Sequence, residues 1–135
     1  MKILSIAIPC YNSEAYMEKC IDSLLVGGEE VEILIVDDGS KDGTTEIADR
    51  YQEKYPTIVK AIHQENKGHG GAVNTGVENA TGLYFKVVDS DDWVNPEAYQ
   101  KILNVLAEVV RGPKTLDLLI LSLIHISEPT RQEAI

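Results

Sequence analysis

Positive charge is scarce in this chain of 135 residues: 12 lysines and arginines stand against 22 aspartates and glutamates, a formal net charge of −10. That deficit argues against a nucleic-acid surface or an anionic-membrane surface, and leaves any phosphate to be bound through a metal ion or backbone amides. Cysteine is nearly absent. Cys10 and Cys20 fall on an expected strand end and an expected helix with no C-x-x-C spacing, so both are read as reduced thiols. Long hydrophobic runs are missing too: the longest, residues 116–126, is too short and too interrupted to span a bilayer, and no basic, apolar leader precedes Pro9. The sequence contains no G-x-x-x-x-G-K-[ST], and its one approach to G-x-G-x-x-G/A, from Gly68, fails at Val73. A P-loop ATPase and a dinucleotide-binding Rossmann enzyme are therefore poorly supported. Internal repeats and low-complexity segments are absent.

What is present suffices for one globular domain, with 44% apolar residues among scattered charges. ILSIAIP at 3–9 has the pattern of a strand buried on both faces, with Pro9 expected to end its pairing. Asn12 or Ser13 is expected to cap a helix carrying Ala15, Met17, Ile21, Leu24 and Leu25 and ending before Gly27. VEILIV at 31–36 is a second strand. Asp42 is placed to cap the helix after it, which runs to about Tyr55, and 58–63 reads as a third strand. A glycine-rich loop, NKGHGG, then leads to a helix over about 72–80, a strand at 83–88 and a helix from Pro96. Strands alternating with helices predict an α/β fold, a mainly parallel sheet flanked by helices on both faces.

In such sheets ligands bind beyond the carboxyl ends of the strands. Three polar clusters fall there: Cys10, Tyr11 and Asn12; Asp37 and Asp38; and Asp89, Ser90, Asp91 and Asp92. Aspartates after a strand often only cap turns, and that reading suits Asp37 and Asp38 as well as a functional one. DSDD exceeds what a turn uses. Three carboxylates within four residues repel one another, and clustered hard oxygen ligands suit Mg²⁺ or Mn²⁺, which bridges phosphate oxygens. The amides around Gly68, His69, Gly70 and Gly71 are placed to receive an anion or to form an ordinary glycine turn. Tyr11 is either a groove filler or a face for a nucleobase. The default for His69 is an exposed loop residue and for His63 a structural one, while Trp93 either walls the acidic site or packs in the core.

Together, IPCYNSE at 8–14, VDDGSKDGT at 36–44, NKGHGGAVNTGVENATG at 66–82 and VVDSDDW at 87–93 resemble the N-terminal half of a family 2 glycosyltransferase of the Rossmann-like GT-A fold. The resemblance covers residues 1–120, which it makes the nucleotide-diphospho-sugar-binding part of the domain. It implies a hexosyltransferase-type reaction from a nucleotide-sugar donor, expected to be a UDP-sugar, to an unknown glycan, lipid or protein acceptor. The transfer is expected to be inverting, with Mn²⁺ or Mg²⁺ as cofactor. By the same resemblance Asp89, Asp91 and Asp92 hold the metal against the diphosphate, and Ser90 belongs to the same donor-contacting loop. Tyr11 lies along the base, Pro9 and Asn12 belong to that pocket, and Asp38 accepts a hydrogen bond from the uracil N3–H. Asn66, Gly68 and Asn74 border the sugar nucleotide, and Val73 stands where many relatives carry arginine. The catalytic base is expected beyond Ile120, so this chain is expected to bind donor and to transfer sugar poorly or not at all.

The end of the chain has a different likeness. LSLIHISEPTR, from Leu121, resembles an in-frame translation of a transposase-end sequencing adapter, so residues 121–135 are expected to be a non-native tail on a truncated protein; a native strand and tail is the alternative. Two functional rivals also stay open. One is a receiver-like, Mg²⁺-binding phosphoacceptor module, which would want its acidic pair after the first strand rather than the second. The other is a non-catalytic nucleotide-sugar-binding remnant. The expected location is cytoplasmic, with membrane association left open for the full-length protein.

Overall fold

The computed structural model describes residues 1–111; the expected tail from Leu121 lies outside the described residues. Strand and helix alternate throughout: β1 (Leu4–Cys10), α1 (Met17–Leu25), β2 (Val31–Asp38), α2 (Thr44–Lys54), β3 (Val59–Gln64), α3 (Gly68–Asn79), β4 (Tyr84–Val87) and α4 (Pro96–Arg111). The four described strands form one parallel sheet in the order β3-β2-β1-β4. The chain steps outward from β1 to β3, then returns to the far edge of β1. This reversal creates a switch point at the carboxyl ends of β1 and β4.

Continuous apolar runs make sense only where both faces are covered. On one face Ile6, Ile8, Ile33 and Ile35 join Met17, Ile21 and Leu24 of α1, Ile47 and Tyr51 of α2, and Tyr99, Leu103 and Leu106 of α4 in a single buried cluster. The other face lies under α3. A Cβ built on Gly76 would fall 2.6 Å from the Ala7 Cβ, so a glycine is what lets this helix rest on β1. Helices thus flank both faces, as the alternation of elements predicted.

Three local expectations are corrected. Pro9 does not end the pairing of β1: it stands opposite Val36, and Cys10 opposite Asp37. What Pro9 lacks is the N–H that would have faced β4. The Val88 N–H still reaches the Ala7 carbonyl at 3.0 Å, but β1 has no next donor to offer, and β4 leaves the sheet. Asn12 and Ser13 do not cap α1 with their side chains; the helix starts at Met17 after a turn in which the Ser13 carbonyl accepts the Tyr16 and Met17 N–H groups. Finally, Gly68–Asn79 is helical from its first glycine, so residues 68–71 form the first turn of α3 rather than a loop before it.

Candidate functional site

The ends of β1 and β2 and the start of α3 enclose a cleft of about 280 Å³, lined by Pro9, Cys10, Tyr11, Asp38, Asn66, Gly68, His69 and Ala72. Alternation along β2 sends Asp38 to the α3 side of the sheet and Asp37 to the other side. Asp38 is only 3% exposed; its Oδ1 accepts the Lys67 N–H and the Gln64 Nε2–H, each at 2.8 Å. Its carbonyl accepts the Asn66 Nδ2–H at 3.1 Å, so one residue fastens the segment leading into α3 to the end of β2. Gly39 makes this approach possible: its φ is +77°, and a Cβ there would lie 2.8 Å from the Asn66 nitrogen. The Tyr11 ring is 50% exposed at the rim. Burial, then the charge of Asp37, push the Cys10 thiol up to about 12, which makes it a neutral wall rather than a nucleophile.

Asp37 organises the turn beside the cleft. Its Oδ1 accepts the Ser40 N–H at 3.0 Å, and its Oδ2 accepts the Thr45 hydroxyl at 2.6 Å and faces His63 Nδ1 at 2.8 Å. Burial disfavours its charge, but the bonds from Thr45, Ser40 and His63 outweigh that and lower its pKa. Ser40 Oγ accepts the Asn12 N–H at 3.0 Å, and Asn12 Oδ1 accepts the Lys41 N–H at 2.8 Å. Asn12, at φ +50°, therefore joins the β1 and β2 loops. Asn74 is exposed on α3 and is not among the lining residues.

The acidic loop follows β4. Asp89, Asp91 and Asp92 each bring a carboxylate oxygen into a group whose members lie within 4.8 Å of one another. The loop is pinned from several sides: the Asp92 N–H meets the Asp89 carbonyl at 3.0 Å, the Cys20 thiol meets the same carbonyl at 3.5 Å, and Ser90 Oγ lies 2.9 Å from Ser13 Oγ. The Ser13–Ser90 contact links the acidic loop to the segment that follows Tyr11. Carboxylate oxygens grouped in this way could hold a divalent metal ion. Two lysines stand nearby: Lys19 Nζ lies 3.6 Å from the centre of the half-buried Trp93 ring, and Lys86 has its pKa lowered by burial against the opposing charge of Asp89.

The model of the family described as "Glycosyl transferase family 2" matches residues 5–110. The chain belongs to glycosyl transferase family 2. This family 2 chain is 38% identical over 114 residues to glycosyltransferase GlyA of Streptococcus pneumoniae, covering 81% of this chain and 16% of GlyA. It is 42% identical over 106 residues to the uncharacterized glycosyltransferase YibD of Escherichia coli, covering 78% of this chain and 30% of YibD. Among solved structures, TarS 1-349 of S. aureus in complex with UDP-GlcNAc superimposes with a TM-score of 0.69 at 32% identity, over 80% of this chain and 32% of that one. The fold is that of the GT-A glycosyltransferases, and the chain spans a third or less of the length of each of these proteins.

Within this family 2 chain, Pro9, Tyr11, Asp38, Asn66 and Gly68 come together in one cleft, and Asp89, Ser90, Asp91 and Asp92 form the loop joined to it through Ser13. Sequence reasoning read His63 as structural and did not foresee that Asp37 and Asp49 flank it. The pairing follows only from β3 lying beside β2: there the ends of VDD and IHQ stand side by side, Asp37 opposite His63 and Asp38 opposite Gln64. Glu32 was also missed. It is buried and accepts bonds from Ser5 and Thr81, and the acid inside VEILIV was its signal.

Proposed function

We propose that this chain is the donor-binding part of an inverting, metal-dependent glycosyltransferase that takes its sugar from a nucleotide sugar, a UDP-sugar in preference to others. The observation that carries the reading is the coupling of two features at one switch point: a cleft with an exposed aromatic and a buried carboxylate, and a group of three carboxylates tied to it through Ser13 and Ser90. The likeness to TarS, solved with UDP-GlcNAc, supports the choice of base.

In this reading the Tyr11 ring offers its face to the base, as an exposed aromatic can to any nucleobase. Asp38 Oδ1 is occupied by Lys67 and Gln64, and its second oxygen accepts the imide N–H of uracil. Asn66 and Gly68 border the ribose and sugar, with Asn12 holding the adjoining loop. Asp89, Asp91 and Asp92 would hold Mn²⁺ or Mg²⁺, whose charge compensates that of the diphosphate. The acceptor is a glycan, lipid or protein. An inverting transfer needs a carboxylate base to take the acceptor proton, and we assign that base to sequence beyond Ile120. The 135-residue chain then binds donor without appreciable transfer, in the cytoplasm, where nucleotide sugars are made.

Calorimetric titration of UDP into the chain, with and without Mn²⁺, tests this. Binding that needs Mn²⁺ and is lost in Asp91→Asn/Asp92→Asn is the expected result. A folded wild type that binds no UDP under either condition contradicts it. GDP titrated in parallel decides the base.

A further inference from the structure

The His63 imidazole has a carboxylate at each end: Nδ1 lies 2.8 Å from Asp37 Oδ2 and Nε2 lies 2.7 Å from Asp49 Oδ1. Carboxylates accept and do not donate, so both contacts are hydrogen bonds only when both ring nitrogens carry protons. A neutral ring would leave one nitrogen lone pair against an oxygen. The clamp joins two elements, because Asp37 ends β2 and Asp49 lies on α2. From Asp37 the bonds continue to Ser40, from Ser40 to Asn12, and from Asn12 back to Lys41. Asp37 also stands next to Asp38 of the cleft.

We propose that His63 is a positioning residue of the cleft: its imidazolium, held between Asp37 and Asp49, fixes the end of β2 and, through Asp37, the turn at residues 39–41 and Asn12 at the cleft rim. The functional half of this inference rests on the donor-site reading above. The charged groups facing the ring are Asp37 from β2 and Asp49 from α2; Thr45 of α2 shares Asp37, and Arg50 is turned to Glu18. Burial disfavours the imidazolium, but the hydrogen bonds and charges of Asp49 and Asp37 outweigh it and raise the His63 pKa above its ordinary 6.5. When the ring loses one of its two protons it can donate to only one of Asp37 and Asp49, so the bridge between β2 and α2 opens, the positive charge beside Asp37 is gone, and the turn loses part of its support.

The test follows ring and backbone signals of the full chain by NMR as pH is raised, in wild type, Asp49→Asn and His63→Gln. The amides of Asn12, Ser40 and Lys41 are expected to move with the midpoint of the His63 ring. Asp49→Asn, at an exposed position, should lower both midpoints together, and His63→Gln should abolish the movement at the loop. Loop amides that stay still while the ring titrates, or a loop midpoint that Asp49→Asn leaves unchanged, would overturn the proposal. UDP affinity, measured alongside with Mn²⁺, should weaken roughly tenfold across the same pH range, the scale of one charge-assisted hydrogen bond. Affinity that stays flat through the ring's midpoint refutes the coupling and leaves the donor site standing. Absence of UDP binding at every pH, with loop amides that follow the ring, refutes the donor site and supports the positioning role.

Discussion

Two adjacent aspartates on one strand do different work because the backbone turns them to opposite faces. Asp38 holds the entry to α3, and Asp38→Ala would strand the Lys67 N–H and the Gln64 amide. We expect a loss of about 1–3 kcal/mol in urea unfolding at neutral pH, with Asp38→Asn less damaging because it keeps one acceptor oxygen. Asp37 has its pKa lowered from 3.8, so its contribution to stability is present above that value and lost as pH falls through the lower folded value. His63 runs the other way. Its pKa is raised from 6.5, so its contribution is complete below 6.5 and disappears as pH rises through the folded value. Urea midpoints measured between pH 3 and pH 9 should therefore fall at both ends, with His63→Gln removing the alkaline fall. Cys10 and Cys20, both buried and both with raised pKa, should resist alkylation in the folded chain at pH 8 and react after denaturation.

Elements were read correctly where the pattern was strong and misread where tertiary contact overrode local preference. The strands carry uninterrupted isoleucine, leucine and valine, and their approximate positions were legible. The start of α3 was not, since glycines at 68, 70 and 71 are poor helix formers and nothing in the local sequence marks these largely exposed residues as a first helical turn. Pro9 misled for a related reason: its missing donor matters only toward β4, which sequence alone does not reveal as the neighbour on that side. Gly76→Ala puts a methyl 2.6 Å from Ala7 Cβ, so α3 must lift from the sheet; we expect about 1–3 kcal/mol of destabilisation and weaker UDP binding, since Gly68 and Ala72 of the same helix line the cleft. Glu32→Ala tests the opposite end of the sheet. It leaves the Ser5 hydroxyl and the Thr81 N–H and hydroxyl without their acceptor, a loss of about 1–3 kcal/mol by urea unfolding, with UDP binding by the remaining folded chain unchanged.

At the scale of the whole molecule, the class of fold and the gathering of three polar clusters at one edge of the sheet were both legible, because strand-helix alternation dictates a parallel sheet and the clusters follow strand ends. The order β3-β2-β1-β4 was not, since periodicity shows which residues are buried without showing which strand is the neighbour. The hydrogen-bond support beneath the cleft was hidden for the same reason. The described residues of this family 2 chain bring the cleft at the ends of β1 and β2 together with the acidic loop through the contact between Ser13 and Ser90. No helix among them is long and apolar enough to cross a membrane. The central claim is that nucleotide and metal meet at that junction, and Mn²⁺ reports its own position by broadening nearby NMR signals. In the presence of UDP it should erase the amides of residues 89–92 first, while UDP shifts those of Tyr11, Asp38, Asn66 and Gly68. Broadening centred instead on Asp37 and Asp49, or UDP shifts that avoid the cleft, would contradict the account.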